Sequence, residues 1–121
     1  MVIRPGEDAD VPAIVALLEE ADDARVISVD SVRHIRRTRP SHARIIELVA
    51  EDDGKILAAG YAGLNISTST PGAAWAFITV TADRRRRGIG SALGARLLEH
   101  LREVEATKVN AFARQIGRAH V

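Results

Sequence analysis

The chain has 121 residues, 46% hydrophobic and 27% charged, with a formal net charge of +1 and no cysteine. That suffices for one small domain with a single core. It excludes disulfides and thiolate metal sites, and the near-neutral charge gives no general attraction to nucleic acid or membrane. The first residues lack the basic start and apolar core of a signal peptide. No apolar run approaches a membrane span, so the expectation is a soluble cytoplasmic protein.

Residues 2–4 read as a short strand, ended by Pro5-Gly6. Asp8 or Asp10 caps the helix that follows, with Pro12 tolerated in its first turn. The apolar stripe of that helix is Val11, Ile14, Val15, Leu17 and Leu18. A more basic second helix spans residues 30–38, with Val32 and Ile35 on its buried face. Pro40 ends it, because the residue before a proline is pushed out of the helical region.

Residues 44–50 read as a strand and 51–55 as a turn, in which Asp53-Gly54 accepts positive φ at both central positions. Residues 56–64 form the returning strand. A Ser/Thr-rich loop over 67–72 then leads to an apolar strand at 74–80. The next helix is the best defined, with Ile89, Leu93, Leu97, Leu101 and Val104 recurring at intervals of four, four, four and three. A last strand covers 108–114. The order is β-α-α-β-β-β-α-β, with no repeat and no internal linker.

Between the strand at 74–80 and this helix runs Arg85-Arg86-Arg87-Gly88-Ile89-Gly90-Ser91. Two glycines at a strand-to-helix junction let backbone approach a ligand closely. The helix N-terminus adds unpaired N–H groups and the positive end of its dipole. Arginines at the same spot supply further positive charge, so the junction suits a pyrophosphate. A lysine-serine or lysine-threonine pair after the glycines would mark a P-loop, and none is present.

The stretch from Val80 to Leu93 resembles the acetyl-CoA-binding motif of the GCN5-related N-acetyltransferase (GNAT) superfamily. Arg85, Gly88 and Gly90 fill the three fixed positions of (Gln/Arg)-x-x-Gly-x-(Gly/Ala). The resemblance covers residues 1–114 in element order, and its specificity is concentrated in residues 74–114. It implies an α+β fold of three layers, αβα, around a mixed, mostly antiparallel sheet like that of acyl-CoA N-acyltransferases. The last helix and strands of that fold are lacking.

The resemblance also implies acetyl-CoA, or another acyl-CoA, as co-substrate, and no metal. Backbone groups from Arg85 through Arg86, Arg87, Gly88, Ile89 and Gly90 would hold the pyrophosphate. The side chains of Arg85 and Arg87 would add charge-assisted bonds, and Ser91 a hydroxyl. Ile78 and Val80 would flank the pantetheine arm through backbone bonds. The family's acyl transfer is direct, to a small-molecule or peptide amine positioned against the thioester. A base takes the ammonium proton, and a strand N–H near Val80 polarises the carbonyl. Glu47, near the central strands, is a candidate for that base.

Blander roles compete for several residues. Thr79 and Thr81 fit strand and turn geometry, and Trp75, Tyr61 and Phe77 fit either a core or an acceptor pocket. Arg33, Arg36, Arg37 and Arg39 read as a solvated helix face. With 3% aromatic residues there is little to stack bases on. No two of His34, His42, His100 and His120 suggest a metal site. A homodimer is among the open oligomeric states. A non-catalytic acyl-CoA sensor of the same fold is the alternative function.

Residues 116–121, Ile-Gly-Arg-Ala-His-Val, match the translation of a common short-read sequencing adapter up to its stop codon. The adapter's first two bases complete a codon for Gln115. The expectation is a native domain over 1–115 and adapter read-through over 116–121. A family member cut there would lack the asparagine and tyrosine that often serve cofactor and leaving thiolate. It would turn over little or not at all.

Overall fold

The computed structural model of the chain describes residues 1–21, 27–84 and 88–114. Five strands form one sheet: β1 (Val2–Pro5), β2 (Ile46–Asp52), β3 (Lys55–Leu64), β4 (Ala73–Val80) and β5 (Lys108–Arg114), in that spatial order. The first three pairings are antiparallel and β4–β5 is parallel. Helices α1 (Val11–Ala21) and α2 (Val29–Thr38) cover one face. The other face carries α3 (Ile89–Glu103). The expected mixed αβα fold is the observed one.

Alternation along the strands sorts the core into two halves. Leu48, Leu57, Ala58, Ala62, Ala76 and Val80 meet Leu93, Leu97 and Leu101 of α3. Val49 and Ala59, on the opposite face, meet Ile14, Leu17 and Leu18 of α1. Burying each such leucine contributes roughly 1.5–3 kcal/mol. The small residues of β3 allow α3 to sit close. A Cβ on Gly60 would stand 3.1 Å from Leu97 Cδ1.

Local signals place most boundaries. Asp53 and Gly54 take φ of 52° and 75° and close the β2–β3 hairpin between Asp52 and Lys55. Ser28 caps α2 by accepting the Ser31 N–H at 3.1 Å. A 3-10 turn over Asp8–Asp10 precedes α1, with the Glu7 N–H donating to Asp10 Oδ2 at 2.8 Å. Strand β2 starts at Ile46, two residues later than expected. Another 3-10 turn, Ser41–Ala43, ends on Arg44 in the left-handed region, φ 51°.

Candidate cofactor site at the β4–α3 junction

Thr81 N–H donates to the Leu57 carbonyl and Asn65 N–H to that of Ala73, both at 2.8 Å. The odd-numbered residues of β4 are therefore the ones bonded to β3. The even ones, Ile78 and Val80, turn N–H and C=O toward the β5 side. Ile78 lies opposite Ala113, and the last pair among the described residues is Thr79–Arg114. Val80 is the last residue of β4. Its side chain, 7% exposed, packs into the α3-side core.

After Val80 comes a 3-10 turn over Ala82–Arg84, and α3 starts behind Gly88. Gly88 has φ 81° and ψ 0° and brings no side-chain cap. An added Cβ there would meet nothing within 4 Å, so the left-handed backbone, not crowding, calls for glycine. The first helical hydrogen bond runs from Ala92 N–H to the Gly88 carbonyl at 3.0 Å. The N–H groups of Ile89, Gly90 and Ser91 precede it and find no acceptor among the described residues. A Cβ on Gly90 would lie 3.7 Å from Val80 Cγ2, an ordinary contact, so packing within the chain does not require glycine there.

These groups make a cradle for an anion: three N–H donors at the positive end of a fifteen-residue helix, beside bare backbone. The arginines of the motif, Arg85, Arg86 and Arg87, lie outside the described residues. The loop is fastened from the opposite helix layer. Glu20 Oε1 accepts the Ala82 N–H at 2.8 Å, and its Oε2 accepts the Thr81 hydroxyl at 3.3 Å. Sequence reading missed Glu20, which stands 62 positions from Ala82 with no local signal. Thr79 is fully buried on the α1 side, its hydroxyl unpartnered among the described residues.

Glu47 is not at this junction. It lies on the face covered by α1 and α2, its side chain 4% exposed. Arg36 Nε stands 3.0 Å from Oε1, and Arg39 Nη2 stands 3.5 Å from Oε2. Asp8 extends the cluster, 3.0 Å from Arg33 Nε and 3.4 Å from Arg36 Nη1. So Arg33, Arg36 and Arg39 are not the solvated face expected of them. They tie α2 to the sheet and to the turn before α1. Gly6 makes room for this, since a Cβ there would come 2.8 Å from the Glu47 carboxylate.

Tyr61 lies directly across from Glu47 on β3. Burial, reinforced by the charge of Glu47, pushes its phenol well above the usual range. The Arg39 guanidinium sits 5.7 Å from its ring centre. The Tyr61 and Phe77 ring centres are 6.5 Å apart, and with Trp75 they line an open cavity of about 310 Å³ beside α2. Ile35, expected in the core, is 57% exposed and lines this cavity.

His100 Nε2 is 2.7 Å from the Arg44 carbonyl oxygen, a structural contact far along α3 from the junction. Among the described residues no three acidic or histidine side chains are grouped to hold a metal. None of the described helices is long and apolar enough to cross a membrane.

The sequence matches the acetyltransferase (GNAT) family over residues 14–118. No curated protein matches it significantly. Among solved structures it is similar to a ribosomal-protein-alanine N-acetyltransferase from Brucella melitensis. The TM-score is 0.82 at 23% identity, covering 92% of this chain and 73% of that one. A GCN5-related N-acetyltransferase from Kribbella flavida gives a TM-score of 0.75 at 27% identity, covering 89% and 68%. The Salmonella typhimurium protein yncA, solved with its cofactor acetyl-CoA, gives 0.74 at 24% identity, covering 92% and 68%.

Proposed function

The chain belongs to the acetyltransferase (GNAT) family, and from that premise we propose that it binds acetyl-CoA, or a related acyl-CoA, in a domain built to acylate an amine, with the low turnover expected from its sequence. The observation that carries this reading is the opening of α3. Gly88, in the left-handed conformation, exposes the N–H groups of Ile89, Gly90 and Ser91 beside the end of β4. That donor set fits a pyrophosphate, and the missing side chain of Gly90 leaves it room. Bound there, acetyl-CoA supplies an activated thioester acyl group.

The remaining contributions come from the chain itself. Ile89, Gly90 and Ser91 donate backbone N–H to phosphate oxygens, and Arg85, Arg86 and Arg87 add charge. Val80, at the end of β4, presents N–H and C=O to the extended arm of the cofactor. Ile78, two residues back, borders the same edge. Glu20 holds the loop in place from α1. Glu47, with a guanidinium facing each carboxylate oxygen, serves to fix α2 on the sheet rather than to receive the amine's proton.

Calorimetric titration of the chain with acetyl-CoA tests this, with circular dichroism reporting the fold. The expected result is saturable binding that Gly88→Glu abolishes without unfolding the chain. A folded chain that does not bind acetyl-CoA overturns the reading.

A further inference from the structure

The cavity under α2 lies on the sheet face opposite α3, and it combines two features. Its walls are apolar: Trp75 and Phe77 alternate along β4, Tyr61 stands beside Phe77, and Val32 and Ile35 come from α2. Ile35 lines it and is 57% exposed. About 310 Å³ is at the small end of pockets that hold organic ligands.

The second feature is a cation at its edge, Arg39. Behind it, Arg33 and Arg36 are held by Asp8 and Glu47, with the Asp10 carboxylate also in the field of Arg36. Arg36 has the close contact to Glu47. Arg39 has only the 3.5 Å approach to Oε2, which is too poorly aligned to satisfy that oxygen. Among the described residues Arg39 makes no hydrogen bond, and it is the one charged residue lining the cavity. Arg39 therefore faces the apolar space with guanidinium donors to spare.

We propose that this cavity seats the non-reacting part of the acceptor, and that the acceptor is an amine carrying an aromatic or branched apolar group and a carboxylate. The apolar group lies on Trp75 and Phe77, and the carboxylate meets Arg39. Phe77 is three residues before Val80, roughly 10 Å along the strand. The same strand thus links acceptor seat and cofactor edge. This inference rests on the acyl-transfer reading above.

Trp75 is the single tryptophan of the chain, so its fluorescence reports occupancy directly. The probes are 3-phenylpropionate, which has ring and carboxylate, and phenethylamine, which has ring and amine. 3-Phenylpropionate should give a saturable change and bind about tenfold more tightly than phenethylamine, the worth of one charge-assisted contact. Arg39→Gln should erase that preference and Arg39→Lys keep part of it. Ile35→Glu, at an exposed position that the fold does not depend on, should weaken 3-phenylpropionate binding through like charge.

Equal binding of the two probes, or indifference to Arg39→Gln and Ile35→Glu, overturns the proposal. So does the absence of any saturable change from 3-phenylpropionate. Acetyl-CoA binding, followed by calorimetry on the same preparation, separates the two levels. A chain that binds acetyl-CoA but not 3-phenylpropionate keeps the acyl-transfer reading and loses this one.

Discussion

Glu20 Oε1 accepts the backbone N–H of Ala82 at 2.8 Å, which fastens the last turn of α1 to the loop leading into α3. The second carboxylate oxygen takes the Thr81 hydroxyl, so one side chain orders two consecutive residues. Glu20→Ala should raise the dissociation constant for acetyl-CoA roughly fivefold, about 1 kcal/mol. Glu20→Gln, which keeps an acceptor oxygen, should stay within about twofold. Calorimetry on the two variants reads this directly, and unchanged affinity in Glu20→Ala would show that the clamp is not used.

Gly90 separates stability from ligand binding. A methyl group there meets Val80 Cγ2 at 3.7 Å, a contact the fold tolerates. Gly90→Ala should therefore leave the melting temperature unchanged or raise it, since alanine is favoured in helices by about 0.5–1 kcal/mol. Affinity for acetyl-CoA should fall about tenfold or more, because the backbone loses close approach. Thermal melts and calorimetry on one variant test both halves.

Glu47→Gln should destabilise the chain by about 3 kcal/mol, the scale for breaking one side of a buried ion pair. The side chain is 4% exposed, and its loss leaves Arg36 and Arg39 facing a neutral amide. Urea denaturation measures the cost. Acetyl-CoA affinity of the folded variant should stay within about twofold, because the cluster lies away from the β4–α3 junction.

Asp10 gives a pH signature. Its carboxylate is gripped by Arg4 at 2.8 and 2.9 Å, and those hydrogen bonds hold its pKa below the usual value of 3.8. A depressed folded-state pKa contributes stability above the unfolded value and loses it as pH falls through the folded one. Stability should therefore decline on acidification below about pH 4. Asp10→Asn should be less stable at pH 7 and show a shallower acid limb. Denaturation curves at pH 7 and pH 3 for both proteins decide it.

The parts of this fold that sequence made legible are those with local causes. The return of Leu93, Leu97 and Leu101 at every fourth position marks α3, and all three are buried as that spacing requires. Asp53-Gly54 announces its own turn. The glycines of the β4–α3 junction were visible for the same reason, whereas the conformation of residues 85–87 falls outside the described part. What stayed hidden depends on distant partners. Arg36 meets Glu47 eleven positions away and Asp8 twenty-eight away, so a basic helix looked solvated when it is tied down. Ile35 shows the complementary failure. Helical period tells which way a side chain points, not whether anything fills the space it points into.

The crossover through α3 does two things at once. It makes β5 parallel to β4, and it brings the start of a helix to the end of the strand it has just left. The sheet then acts as a partition. The α3-side core and the opening of α3 belong to one side, and α2 with its aromatic cavity to the other. Variation on α2 can therefore retune the choice of acceptor while leaving the hold on the cofactor intact. A scaffold divided in this way can diversify its substrates by changing one layer at a time.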